Sequence, residues 1–210
     1  NPDYSTGTQS GVNYFAAQSG NKVFFAANNK VQNGISVSDL WVTDATPSGT
    51  IQLTDKVTGD YNMLMALDLF AKNTIDLDGK LFFKKHIGVD IHNLWVTDGT
   101  LAGTKKISDT IRIPLIQPEG IKFNNKFIFR SLNQSYLGQI WISDGTERGT
   151  SLVKDNLTIQ MTPIIFNNKV YFVGHSIEYG YELFQTDGTP AGTHVVKDIA
   201  PGGSNGLKSD

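Results

Sequence analysis

Leu40-Trp41-Val42-Thr43-Asp44-Ala45-Thr46 recurs as Leu94-Trp95-Val96-Thr97-Asp98-Gly99-Thr100. It returns as Ile140-Trp141-Ile142-Ser143-Asp144-Gly145-Thr146 and as Leu183-Phe184-Gln185-Thr186-Asp187-Gly188-Thr189. Each copy is followed at one offset by a Gly-Thr pair: Gly49-Thr50, Gly103-Thr104, Gly149-Thr150 and Gly192-Thr193. Five residues after that Thr stands an acid, Asp55, Asp109, Asp155 or Asp198. Upstream, each copy opens on a lysine and an apolar run, beginning Lys22-Val23, Lys80-Leu81, Lys126-Phe127 and Lys169-Val170. Four registers held over this many positions define an internal repeat.

Local chemistry turns the repeat into strands. Before each lysine sits a pair able to take positive φ: Gly20-Asn21, Asp78-Gly79, Asn124-Asn125 or Asn167-Asn168. Such pairs between apolar runs mark a tight type I′ or II′ hairpin. They join a first strand, such as 162–166, to a second, such as 169–173. The Trp-bearing motif is a third strand, and 193–198 with its counterparts a fourth. In the connecting Asp-Gly-Thr-x-x-Gly-Thr turn, the Asp accepts backbone N–H groups and each Gly supplies a left-handed position. Ala45, in place of the first Gly, puts that conformation in doubt for the first repeat. The second strands lack polar alternation, so both of their faces are predicted to be buried. Asp44, Asp98, Asp144 and Asp187 are spaced 54, 46 and 43 residues apart, near the period of propeller blades. The expected fold is therefore an all-β propeller of four-stranded antiparallel blades, with four repeats in one domain of this chain or within a larger ring. A β-solenoid or stacked hairpin array is the alternative.

The chain resembles the ELWxxDGT repeat family of bacterial secreted and surface proteins. The resemblance covers residues 20–200 and includes Lys197-Asp198-Ile199-Ala200-Pro201-Gly202, which is similar to the family's closing segment. This sequence departs from the pattern at Ala45, at Phe184 in place of Trp, and in having the Glu only at Glu182. The family implies extracellular or cell-surface localisation, often in large modular proteins, and no defined activity.

Composition narrows the partners. Apolar residues make up 39% and 21 residues are glycine, which suits a folded domain and excludes a disordered chain. The net charge of −2 supplies no basic field for a nucleic-acid backbone or an anionic membrane. No apolar run is long enough to span a bilayer as a helix. The absence of Cys excludes disulfides, thiolate metal sites and thiol nucleophiles. Phosphate loops, nucleophile elbows and zinc-protease helices do not occur either, and no cofactor is expected.

The repeated acids Asp44, Asp98, Asp144 and Asp187 are read as structural turn residues, and Trp41, Trp95 and Trp141 as core packing. Asp76-Leu77-Asp78-Gly79 lacks the further acids of a calcium loop. His86, Asp90 and His92 would share one side of an extended hairpin and could hold zinc, but they read better as polar loop residues. Asn133-Gln134-Ser135 and Asn156-Leu157-Thr158 are glycosylation sequons. Function is expected on the irregular segments at the edge away from the repeated turns: the loops 28–38, 86–93, 132–139 and 175–182 and the connectors 56–74, 110–118 and 156–161. That edge displays His86, Asp90, His92, Tyr136, Glu178, Tyr179 and Tyr181 as candidate ligand-binding residues, the tyrosines serving to stack on sugars or anchor a protein partner.

The reading is a non-catalytic binding or scaffold module for a protein or glycan partner. Its alternatives are a carbohydrate-binding lectin-like propeller, or a propeller glycoside hydrolase or polysaccharide lyase. An enzyme would need charged residues that break the repeat and converge on one cleft. The repeats run over about 12–57, 74–111, 119–157 and 162–200. Asn205-Gly206-Leu207-Lys208 echoes Glu119-Gly120-Ile121-Lys122, so 201–210 is read as the start of a further repeat in a larger protein, or else as a closing tail. Met63, Leu64, Leu67 and Phe70 give the connector 61–70 one short helical face.

Overall fold

A computed structural model of the chain describes residues 11–32, 35–54, 76–88, 91–114 and 120–207. The chain divides into two compact units, Asn1–Asp109 and Thr110–Asp210. The described residues are all β-structure and irregular chain, with no helix among them. The helical face expected at 61–70, the connector 56–74 and Asp90 lie outside the described residues.

In the first unit, β1 (Gly11–Ser19), β2 (Lys22–Gln32), β3 (Ile35–Thr43) and β4 (Ile51–Gln52) form one antiparallel sheet in chain order. β5 (Asp76–Leu77), β6 (Lys80–Gly88), β7 (Ile91–Thr97) and β8 (Lys105–Lys106) form a second meander. The second unit begins with β9 (Ile113–Pro114), next to which Arg112 bridges to Leu132. Its first meander is β10 (Gly120–Phe123), β11 (Lys126–Leu132), β12 (Gly138–Ser143) and β13 (Ser151–Asp155). Its second contains β14 (Thr158–Ile159), β15 (Ile164–Phe166), β16 (Lys169–Ser176), β17 (Gly180–Thr186) and β18 (His194–Val195). Both β14 and β15 pair with β16, at its two ends.

The hairpin pairs behave as their chemistry requires: Asp78, Asn124, Asn125, Asn167 and Asn168 all take φ between 47° and 55°, and Gly79 takes 80°. Two expectations change. The loops 28–38 and 86–93 are shorter than the sequence suggested, because the ladders run on to Gln32↔Ile35 and Gly88↔Ile91. The fourth strands are also short, with only two ladder residues in three of the four sheets. In the first and fourth repeats a buried acid precedes the apolar Leu. Asp39, almost wholly buried, accepts bonds from Gln52 Nε2 and Thr54 Oγ1. Glu182, likewise buried, accepts the backbone N–H groups of Ile199 and Ala200 through one oxygen. In these two repeats a side-chain carboxylate engages the chain where the fourth strand leaves the ladder.

Among the described residues, each unit has a core of buried side chains where its two sheets meet. In the first, Phe24, Leu40, Val42 and Leu53 pack on Leu81 and Phe83, with Trp95 at the margin. In the second, Ile128, Ile140 and Ile142 pack on Val170, Phe172 and Phe184. The tryptophans are half-buried; Trp41 lies along Phe25, and Trp95 along Phe83.

Candidate functional site

The repeated turns come first, because they define the edge that does not vary. In each, one Asp carboxylate oxygen accepts both the backbone N–H and the hydroxyl of the Thr two residues on, at 2.6–2.9 Å. That hydroxyl oxygen accepts the N–H of the second Gly. The last Thr then donates to the carbonyl of the first Thr. The hydroxyl of Thr43, Thr97, Ser143 or Thr186 accepts the N–H after the Asp and meets the last Thr across the turn. The hydrogen bonds from threonine hold the carboxyls of Asp44, Asp98 and Asp187 below the usual carboxylate range.

The two glycines of the turn have different reasons. Gly99, Gly145 and Gly188 are left-handed, with φ of 82° to 88°. Ala45 adopts the same conformation at φ 71°, which removes the doubt its side chain raised, at a steric cost of about 1–2 kcal/mol. The second glycine is not left-handed. A Cβ at Gly49, Gly103, Gly149 or Gly192 would lie 2.0–2.1 Å from the Asp carboxylate, so the position needs glycine for close approach.

The other edge of the second unit carries a cleft of about 490 Å³ between its two sheets. Leu157, Phe184 and Val195 supply apolar lining; Lys154, Asp155 and Asn156 come from the third repeat, and Ser176, Glu178, Tyr179 and His194 from the fourth. Tyr179 is fixed two ways: its N–H donates to Ser176 Oγ at 3.1 Å, and its ring meets Phe184 edge-on at 6.2 Å. The Glu178 carboxylate beside it holds the phenol above its ordinary pKa. Across the cleft, Asp155 Oδ1 accepts from Gln139 Nε2 at 3.0 Å and from Asn133 Nδ2 at 3.4 Å, while Gln139 Oε1 accepts the Trp141 indole N–H. Of the two rim carboxylates, Asp155 accepts through Oδ1. An apolar strip with an aromatic wall and a polar rim is suited to hold one face of a sugar ring or a side chain of a protein partner.

The sequence-predicted residues separate into groups. Glu178 and Tyr179 line the cleft. Tyr136 does not line the cleft, although its neighbour Leu137 does; it is 65% exposed at φ 61°, in a turn whose carbonyl and amide acceptors both come from Asn133. Tyr181 does not line the cleft. Its ring meets that of His175 at a tilt of 52°, with centroids 4.6 Å apart, and Asn205 and Leu207 bond its backbone. Arg130, half-buried, is lowered in pKa by desolvation and partly restored by Tyr181. His86 and His92 are direct partners in the β6–β7 ladder of the first unit. Among the described residues no group of acids and histidines could hold a metal. Sequence reading missed Lys154 and His194; Asn156 opens the connector 156–161 that it marked, and also begins a sequon.

No family model matches the chain, and no curated protein matches it. Solved structures do. Acylaminoacyl peptidase from Pyrococcus horikoshii is 13% identical, with a TM-score of 0.51 over 87% of this chain and 26% of its own. A puromycin hydrolase mutant is 14% identical with a TM-score of 0.48, covering 83% and 26%. An α-L-arabinofuranosidase from Clostridium thermocellum is 11% identical with a TM-score of 0.29, covering 88% and 71%. The chain thus spans about a quarter of the length of the two hydrolases. At such identities the likeness is one of strand arrangement alone.

Proposed function

We propose that the chain is a propeller-type blade array that serves as a non-catalytic binding scaffold of a secreted or cell-surface bacterial protein. The observation that carries this reading is the contrast between the two edges of the repeats. One edge repeats four self-satisfied turns; the other, in the second unit, opens into a cleft walled by Tyr179 and reached by Leu137, the neighbour of the exposed Tyr136. The four-stranded meanders packed face to face support the propeller architecture, and the resemblance to the ELWxxDGT family supports the compartment. A glycan or a surface-protein segment is the ligand class that fits the cleft. The cleft lining brings Asp155 and Glu178 to opposite sides beside an apolar floor and an aromatic wall, an arrangement that favours binding over the hydrolase or lyase alternative.

A screen of glycans and bacterial surface proteins tests the reading. Binding should fall in Glu178→Ala and Tyr136→Ala, with no turnover of any bound polysaccharide. Turnover abolished by Glu178→Gln would replace this reading with the enzymatic one.

A further inference from the structure

The fourth repeat departs from the third at a place on which the cleft depends. Gly138 and Tyr181 hold the same position, six residues before the Asp of the repeated turn. Each offers its carbonyl to a leucine N–H, from Leu157 at 3.0 Å and from Leu207 at 2.9 Å. Leu157 follows Asp155 by two residues, whereas Leu207 follows the equivalent Asp198 by nine. The fourth repeat therefore carries an insertion between its fourth strand and this bond, and residues 199–206 contain it.

The inserted segment lies against the turn between β16 and β17. Gly202 and Gly203, at φ 91° and 74°, reverse the chain, and a Cβ on Gly203 would lie 3.2 Å from the Ile177 carbonyl oxygen. A Cβ on Gly180 would lie 2.4 Å from the Ser204 carbonyl oxygen. Asn205 Oδ1 accepts the Tyr181 N–H at 3.2 Å. The segment thus meets the chain on both sides of Tyr179 in sequence, and 176–179 is the stretch of that turn which lines the cleft.

Glu182 fastens the segment. Its side chain is wholly buried. Oε1 accepts the N–H groups of Ile199 and Ala200 at 2.9 and 3.0 Å, while Oε2 is buried with no partner. Gly206 closes over the carboxylate, since a Cβ there would lie 2.0 Å from Oε1. Burial of a charge is unfavourable unless hydrogen bonds offset it, and here the offsetting bonds come from the inserted segment. In the third repeat the same position is Gln139, which bonds Asp155 and Trp141 instead.

We propose that 199–206 is a strap that holds the aromatic wall of the cleft in place, with Glu182 as the positioning residue that fastens it. Glu182 does not line the cleft; it acts through the strap on the turn that carries Glu178 and Tyr179. The inference deepens the reading of this cleft as the binding site, and its functional meaning rests on that reading.

Amide hydrogen exchange and the phenol titration of Tyr179, both followed by NMR of the full chain, test the strap with no ligand present. Glu182→Ala should speed exchange at Ile199, Ala200, Tyr181 and Leu207 by more than about tenfold. Gly188 and Gly192, in the repeated turn, should exchange as in the parent. The Tyr179 titration should move down toward the ordinary phenol range, because Glu178 and Asp198, whose charges hold it up, are no longer kept beside it. Glu182→Gln retains the Oε1 acceptor and should restore both readouts. Asn205→Ala, at an exposed position, takes the place of Glu182→Ala if that variant does not fold, and should shift Tyr181, Leu207 and Tyr179 in the same directions. Parental exchange in the folded variant, faster exchange with an unmoved Tyr179 titration, or a Glu182→Gln that behaves as Glu182→Ala would each overturn the proposal. A ligand screen that finds no binder would count against the cleft and leave these measurements as they are.

Discussion

Gly149→Ala is informative because its cost should depend on a side chain five residues away. The Cβ would lie 2.1 Å from the Asp144 carboxylate carbon and from both oxygens. Gly149 is outside the left-handed region, so alanine meets no backbone strain there. The carboxylate must instead move, releasing the Thr146 N–H at 2.8 Å and the Thr146 hydroxyl at 2.7 Å. Bonds to a charged acceptor contribute about 1.5–3 kcal/mol when sheltered. Partial access of water to this turn reduces the pair to a loss of about 2–3 kcal/mol. With Asp144→Ala already in place, those bonds are gone and the obstacle is removed. Gly149→Ala should then stabilise the protein by about 0.4–1 kcal/mol through the unfolded chain. Urea titration of the parent, both single variants and the double variant would measure the cycle. The sign of the Gly149→Ala effect should reverse between the two backgrounds. Costs that add to within about 0.5 kcal/mol would refute the close-approach account of this glycine.

Ala45→Gly should raise the urea midpoint, since relief of the φ 71° conformation outweighs the added unfolded-state entropy by about 0.5–1 kcal/mol. Tyr136→Ala should leave the melting temperature unchanged, whereas Tyr179→Ala should lower it because its ring packs on Phe184; differential scanning calorimetry separates them. Asp98 has a folded pKa below its unfolded value, so its stabilising contribution is present above about pH 4 and is lost as pH falls through the folded value. Replacing Thr100 by Val should return the Asp98 titration, followed by carboxyl NMR, toward the ordinary range. An unmoved titration would contradict the hydroxyl as the principal cause.

What could be read in advance was what depends on neighbours in sequence. Asn124-Asn125 and Asn167-Asn168 announce their turns because both residues tolerate positive φ, and the Asp-Gly-Thr turn closes within a few residues. The first strand of the fourth repeat was legible only from 162 onward. Its outer piece, Thr158–Ile159, pairs with Gly174 and His175 but is separated from β15 by Pro163, which has no N–H to donate. The short fourth strands were hidden for another reason: Asp39 and Glu182 act on residues 13 to 18 positions away, and no local pattern reports that. The cleft was half visible. Glu178 and Tyr179 lay in the loop 175–182 and Asn156 in the connector 156–161, both marked in advance, but Lys154 and His194 join them only because two sheets approach.

The self-contained turns have a consequence for the order of folding. Their hydrogen bonds span two to seven residues, so closing each costs little chain entropy. Each repeat therefore carries its own early-forming corner, joining its third strand to its fourth, before any sheet finds its neighbour. Folding can start at any of the four corners and spread by sheet-on-sheet docking, as in other repeat architectures. The slow steps are then the long-range ones, the pairing of first strands and the burial of sheet faces. A variant that loosens one turn should slow the maturation of its own repeat, while the other corners continue to form at the parental rate.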